Sequence, residues 1–339
     1  MTLVQRISGR FIVLLLGACL LNSCQHANRY YKIAGSTYTP YHITVQSSSP
    51  EKANALILKQ IQRVNHSINN FDSLSIISQV NQNQPVHVDS IFEHAFHVSQ
   101  KVYRLSDGMF DPSCAPLINL WGFGTSRKDS VNPHIIDSLL TFVGFSKVKL
   151  SDQTVKKSDP RTILNFSGVG DGCMCYFIAN AFDSVGIQNY LIEVGGEMIM
   201  KGVNESGKPW TIGVVKPVDD NFNGQDQLMK QEFHLPGKIG LATSGDYRNY
   251  YIKNGKKYAH TINPKTGYPA GQNILSVTVF NTDCMVADGL ATAIMATGTE
   301  GIKKLVKKMP DLKYFIIYSD KQGKLKTRHS PNIEKYLVK

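Results

Sequence analysis

Between Ala242 and Thr297 strand-forming and turn-forming residues alternate so sharply that few backbone paths remain open. Tyr250-Tyr-Ile-Lys253 and Lys257-Tyr-Ala-His260 flank Asn254-Gly255, and Asn-Gly between two β-prone runs predicts a tight hairpin. That hairpin delivers His260 to a strand end. Asn263-Pro264 and Gly267-Tyr268-Pro269 then break the backbone, and Ile274 to Phe280 resumes an alternating, β-branched strand. Thr282 or Asp283 can cap the helix that follows, on which Asp288 and Thr292 stand four residues apart and share a face. A carboxylate and a hydroxyl so placed offer two oxygens to a hard cation such as Mg²⁺. The same pair also suits a merely solvated helix face.

The amino terminus predicts export. Arg6 and Arg10 precede the apolar run Phe11 to Leu21 and the sequence Leu21-Asn-Ser-Cys24. The run is too short to span a bilayer and has the layout of a signal peptide. It resembles a lipoprotein signal over residues 1–23, with acylation at Cys24, a tether over 24–40 and a single catalytic unit over 41–339. The residue after the cysteine is Gln25, which favours a periplasm-facing outer membrane over the inner one. An ordinary secretory leader with a chance cysteine is the alternative.

The net charge is +11, and its lysines are scattered with small clusters at Lys256-Lys257 and Lys303 to Lys308. No nucleic-acid motif accompanies them, so the basic surface reads as compatible with a membrane or as a solvated face. Cys173 and Cys175 lack the spacing of redox or zinc motifs, and packed core thiols are favoured over a disulfide.

Tyr41 to Gln46 reads as a strand, and the helix from Pro50 carries Ile57, Ile61, Val64 and Ile68 on one stripe. Phe71 to Asn81 reads as a polar loop. Asp89 caps a second amphipathic helix reaching about Leu105. Residues 107–124 combine prolines, glycines and large aromatics, the composition of an irregular loop packed around rings. Ile163-Leu-Asn-Phe-Ser-Gly-Val-Gly-Asp-Gly172 leads from strand to helix, turning backbone N–H groups toward a potential anion. Tyr190 to Glu197 is a strand ending in Gly195-Gly196. Further strands are expected at Trp210 to Val215, Lys238 to Thr243 and Tyr314 to Ser319, and the tally is α+β.

Several of these segments, in this order, resemble the FAD:protein FMN transferase (ApbE) family. The matching runs are Gly108-Met-Phe-Asp-Pro-Ser113, Leu120-Trp-Gly-Phe-Gly124, Thr243-Ser-Gly-Asp-Tyr-Arg248, His260-Thr-Ile-Asn-Pro-Lys-Thr-Gly-Tyr-Pro269 and Ala287-Asp-Gly-Leu-Ala-Thr-Ala293. The resemblance implies a T-fold-like architecture of antiparallel sheets and packed helices, with FAD in a cleft between two lobes. It implies Mg²⁺-dependent transfer of FMN from FAD to a Thr or Ser of a target protein, releasing AMP.

By the same resemblance Gly170, Asp288 and Thr292 hold the metal, and His260 is the base for the acceptor hydroxyl. An imidazole, with an unperturbed pKa of about 6.5, can accept a proton at neutral pH. Asn81, Phe110, Asp111, Trp121, Gly122, Phe123, Asp171, Gly196, Asp246 and Lys265 are expected around the flavin nucleotide, and Arg248 beside Asp246. The implied acceptor is an exported or membrane redox protein with a Thr/Ser flavinylation motif; no nucleic acid is implied. Four positions depart from the family pattern: Asn165 stands for Asp, Gly170 for Ala, Asp171 for Lys and Cys173 for Tyr. They leave open FAD hydrolysis to FMN and AMP, or a flavin-binding lipoprotein without turnover.

Overall fold

Along Ile274–Asn281 the side chains of Val277 and Val279 join one buried cluster while that of Phe280 joins another. A strand dry on both faces needs cover on both sides, and that requirement sets the architecture. The computed structural model describes residues 29–124, 131–215, 229–245, 250–253, 256–259, 261–271, 273–320 and 322–338.

In chain order the elements begin with β1 (Arg29–Thr37), β2 (Thr39–Ser47), α1 (Pro50–Ile68), α2 (Ile76–Asn81), α3 (Ser90–Leu105), α4 (Ala115–Leu120) and α5 (Pro133–Leu140). They continue with β3 (Val148–Ser151), β4 (Thr154–Lys157), α6 (Ser167–Ser184), β5 (Tyr190–Val194), β6 (Glu197–Lys201), β7 (Trp210–Val215) and β8 (Met229–Leu235). The remainder are β9 (Ile239–Gly245), β10 (Tyr250–Lys253), β11 (Lys256–Ala259), β12 (Ile274–Asn281), α7 (Cys284–Lys308), β13 (Lys313–Ser319) and β14 (Leu325–His329).

Eight strands form one antiparallel sheet in the order β1-β2-β5-β6-β9-β12-β13-β14. Helices α1, α3, α6 and α7 cover one face, where Ile43, Ile192, Ile199, Val277 and Ile316 meet the helical core. The β7–β8 ribbon covers the other, where Trp210, Phe233, Phe280 and Phe315 pack together. Antiparallel sheets with packed helices match the α+β expectation. The hairpin expected around Asn254-Gly255 is present as the β10–β11 pair.

Helix starts follow the sequence. Asp89 accepts from the Phe92 amide to open α3, and Asp283 accepts from Met285 and Val286 to open α7. The stripe Ile57, Ile61, Val64 and Ile68 of α1 is buried as the periodicity predicts. Two expectations fail for want of length. The loop expected at 71–81 contains α2, capped by Ser75, and the irregular stretch 107–124 contains α4; six residues are too few to show a helical period.

The tether expected over residues 24–40 also needs correction. From Arg29 onward the chain is an edge strand, paired along its length with β2 from Arg29↔Ser47 to Thr37↔Thr39. Tyr31 and Ile33 pack on the helical core and Tyr30 on the opposite cluster, whereas Lys32, Ala34, Gly35 and Ser36 are exposed, so the apolar alternation is too short to read. Cys24 and the leader lie outside the described residues.

The closest helix contact in the core is between α6 and α7. A Cβ at Gly172 would lie 2.8 Å from the Cys284 carbonyl oxygen and 3.0 Å from Met285 Cα, so only glycine permits this approach. Buried thiols tie the pair to the sheet: Cys175 donates to the Glu197 carbonyl and Cys284 to that of Met198, each at 3.3 Å. Cys114, Cys173, Cys175 and Cys284 are all free, as packed core thiols would be.

This packing generates a contrast. Gly172→Ala must push backbone from backbone and is expected to cost about 1–3 kcal/mol in a denaturant melt. At Gly170 a Cβ meets nothing within 4 Å, so Gly170→Ala in the same helix should be neutral or stabilising by up to about 1 kcal/mol. Equal effects at both positions would contradict the close approach.

Candidate functional site

The site is built from the segment that enters α6. Asn81 grips Leu164 twice, its Nδ2 donating to the Leu164 carbonyl at 2.8 Å and its Oδ1 accepting from the Leu164 amide at 2.7 Å. Asn70 donates to the same carbonyl at 2.8 Å. Asn165 then accepts from the Ser167 amide at 2.7 Å, which fixes the start of the helix. Together these bonds hold the glycine-rich first turns of α6 against α7.

At that junction the two oxygens predicted to share a helix face do point at the glycine turn. The Gly172 amide donates to Asp288 Oδ2 at 3.3 Å, and Thr292 Oγ1 lies 3.6 Å from where a Gly168 Cβ would stand. Phe110 closes the other side of Gly168, at 3.0 Å from the same point. Segments more than a hundred residues apart thus meet at one place. The missing side chains of Gly168 and Gly172 make room for it.

The electrostatics of the junction are unbalanced toward negative charge. Asp288 is only 6% exposed, and burial, reinforced by the charge of Asp171, pushes its pKa up to about 8; the Gly172 amide opposes the shift. Glu197 is buried beside it and is raised well above the usual carboxylate range, by burial and then by Asp288 and Asp171. Asp171 is pushed up to about 6 by burial, with a hydrogen bond from Thr39 opposing and Glu193 adding to the rise. Among the described residues, none of the three is in an ion pair with Lys, Arg or His.

A divalent cation fits this donor set. Mg²⁺ prefers oxygen ligands and usually takes one or two carboxylates with substrate phosphates and water. Among the described residues no three His, Cys, Asp or Glu side chains are arranged to hold a metal unaided. Asp288 and Thr292 would therefore supply part of the shell and a bound diphosphate the rest; at Gly170, the third expected ligand, the structure shows open space where a side chain would stand.

Other expected residues also hold backbone in place. Both polar atoms of Asn81 bond to Leu164, so its amide shapes the entry to α6. Asp111 is half-buried and accepts from the Ser113 amide, the Ser113 hydroxyl and the Phe145 amide, which pins the loop after α3. Burial raises its pKa despite those bonds. Trp121 is 7% exposed and donates from Nε1 to the Gly267 carbonyl at 2.8 Å, with Tyr268 5.8 Å away ring to ring. The Leu-Trp-Gly-Phe-Gly and Asn-Pro-Lys-Thr-Gly segments are therefore one packed unit, in which Phe123 is half-buried and Gly122 makes a left-handed turn. Sequence patterns alone do not distinguish such a scaffold ring from an open ligand wall.

Asp171 lies against the double glycine. A Cβ on Gly195 would strike Asp171 Oδ2, and Gly195 and Gly196 have φ of 64° and 111°. Lys265 is exposed on the 261–271 loop, where its charge helps Lys308 hold Asp107 low; no described contact joins it to Asp171 or Asp288. His260, Asp246 and Arg248 lie outside the described residues. Residues 261–271 just beyond His260 are anchored by Trp121 and by the Ala270 amide donating to Thr261. Glu197 and Thr39 join the acidic junction without having been singled out as site residues. Glu197 carried one signal, its place directly after the double glycine, and Thr39 carried none.

Comparisons with known proteins bear on the family and the fold. Residues 38–316 match the model of the ApbE family. A Vibrio cholerae relative named FAD:protein FMN transferase is 32% identical over 300 residues, 86% of this chain and 88% of that protein. One of the same name from Haemophilus influenzae is 29% identical over 330 residues, 93% of each. The solved flavin transferase ApbE from Vibrio cholerae has a TM-score of 0.81 at 27% identity, covering 91% of this chain and all of that one. The ApbE protein from Thermotoga maritima has a TM-score of 0.77 at 26% identity, covering 92% and all.

The raised carboxylates set a pH dependence. Folded Asp288 and Asp171 retain protons that the unfolded chain has lost, so stability falls as pH rises from about 4, through about 6 for Asp171 and about 8 for Asp288. Each group contributes a slope of up to about 1.4 kcal/mol per pH unit within its window. Metal-free protein in urea melts should weaken between pH 5 and pH 8, and Asp288→Asn should flatten the upper part of the curve. A wild type whose stability climbs across this interval would contradict the assignment.

Proposed function

This chain belongs to the ApbE family, and on that footing we propose that it transfers the FMN half of FAD to a Thr or Ser hydroxyl of an acceptor protein, with Mg²⁺, releasing AMP. It is a transferase of flavin groups, as its relatives are named. The observation that carries the finer reading is the convergence of Asp288 and Thr292 on the glycine turn of α6.

The acceptor oxygen forms a bond to the phosphorus on the riboflavin side of the diphosphate, and the bond from that phosphorus to the AMP oxygen breaks. AMP leaves with the bridging oxygen. Bound at the junction, the divalent ion would neutralise charge on the diphosphate. Asp288 would hold that ion through a carboxylate otherwise kept protonated by burial, and Thr292 through its hydroxyl. His260 takes the proton from the attacking hydroxyl. Trp121 and the Ala270 amide hold the backbone of the segment that follows His260 in sequence.

Asp171 in place of the family's lysine adds negative charge beside the phosphates. It therefore falls to the acidic junction, and FAD hydrolysis with water as acceptor is the competing outcome of the assay. The leader and Cys24 support a lipid-anchored protein facing the periplasm at the outer membrane, with an exported or membrane redox subunit as acceptor.

The assay supplies FAD, Mg²⁺ and a Thr-containing acceptor peptide, and reads covalent flavin fluorescence and AMP. Wild type should yield one AMP per flavin attached. Asp288→Asn should lower the rate roughly 10²–10³-fold, a few kcal/mol of barrier, and His260→Ala should abolish transfer. AMP without labelled peptide would replace transfer by hydrolysis, and an active His260→Ala protein would remove the base.

A further inference from the structure

The flavin site occupies one end of α6; the other end carries a second feature that flavin transfer does not use. A cavity of about 700 Å³ opens between the start of α1 and the Val185–Asn189 turn after α6. Lys52, Leu56 and Lys59 line one side, spaced to share one face of α1, and Val185 and Ile187 line the other. Val185 is 55% exposed beside the two lysines. Lys52 and Lys59 are exposed, and among the described residues neither forms an ion pair. The nearby acids are engaged: Glu51 accepts from Ser49 at 3.0 Å, and Asp183 pairs with Lys201 at 3.0 Å and Lys238 at 2.7 Å. Leu56, Val185 and Ile187 among serines and side-chain amides, with these two lysines, complement the headgroup region of an anionic phospholipid, where charge and apolar surface meet.

The chain enters the fold at this cavity. Arg29 pairs with Ser47, and Ser47, Ser48 and Ser49 lie on the cavity wall. Five residue steps separate Arg29 from Cys24, a reach of at most about 18 Å. With the expected tether largely taken up by β1, a lipid on Cys24 keeps this face next to the bilayer. We propose that the face formed by α1 and Val185 docks on anionic phospholipid headgroups of the membrane that holds the anchor, an inference resting on the lipid-anchored reading of Cys24. α6 spans 18 residues from Ser167 to Ser184, or roughly 27 Å. The flavin site at its far end then stands up to that distance from the bilayer. An acceptor hydroxyl must be presented at a similar height, on a domain projecting from the membrane.

The test uses the full chain expressed with its leader and reconstituted in phosphatidylcholine vesicles with or without about a third phosphatidylglycerol. A nitroxide on Val185→Cys is compared with one on Lys326→Cys, an exposed position on β14 at the opposite edge of the sheet. With phosphatidylglycerol, collisions of the 185 label with a neutral water-soluble nickel chelate should fall about tenfold relative to the 326 label. Lys52→Gln with Lys59→Gln should weaken docking roughly 25-fold, at about fivefold per lysine, and restore the collisions, while flavin transfer in detergent stays within about twofold. Equal accessibility of the two labels would overturn the proposal, as would protection indifferent to both phosphatidylglycerol and the lysines. Mass spectrometry of the Cys24 peptide reads the anchor separately. Acylation with an open Val185 overturns the docking face alone, whereas an unacylated Cys24 overturns the anchor and this proposal with it.

Discussion

A buried carboxylate that among the described residues receives only a long amide hydrogen bond governs this structure. Asp288 sits on the inner face of α7, fixed there by the Asp283 cap one turn earlier and by contact with α6 that only Gly172 allows. Isolating a carboxylate from water costs several kcal/mol unless it is neutralised, and here the charge of Asp171 raises that cost, while Asp288 and Asp171 in turn push up Glu197. Without a cation the junction resolves the conflict by keeping protons. With one bound as proposed, Asp288 would become a ligand, and relief of its buried charge would favour the bound state.

That single conflict explains features otherwise scattered along the chain. Gly195 and Gly196 let Asp171 lie flat against backbone, and Asn81 and Asn70 hold Leu164 so that the first turn of α6 meets Thr292. The β1–β2 hairpin runs from Arg29 and Ser47, at the cavity, to Thr39, which bonds Asp171 at the other end. One hairpin and one helix thus link the face where the chain enters to the acidic junction, making the distance between them a property of the fold.

Much of this was legible in the sequence because strong local signals agreed with tertiary demands. The stripe on α1, the Asp89 and Asp283 caps, the Asn-Gly hairpin and the spacing of Asp288 and Thr292 each depend on neighbours three or four residues away. What escaped depends on distant partners. β1 is a strand only because β2 lies beside it, and α2 and α4 are too short for a period to emerge. Asn81, Asp111 and Trp121 sit within the motifs expected to face the nucleotide, and each also bonds a backbone group at least thirty residues further along the chain, a tie no local pattern announces. A motif locates a neighbourhood; it does not say which side chains face the ligand and which build the wall behind it. Glu197 became part of the junction by strand register, visible only once β6 is placed beside β9 and α7.

In the proposed reaction the acidic junction would exchange protons for a divalent ion. Calorimetric titration of the FAD-bound protein with Mg²⁺ in buffers of different ionisation enthalpy counts the protons released per ion. With Asp288 pushed up to about 8, nearly one proton or more should leave at pH 7, falling toward none by about pH 9.5, and Asp288→Asn should release markedly fewer at pH 7. Tight Mg²⁺ binding with no proton release at pH 7, unchanged in Asp288→Asn, would place the metal elsewhere and contradict the account.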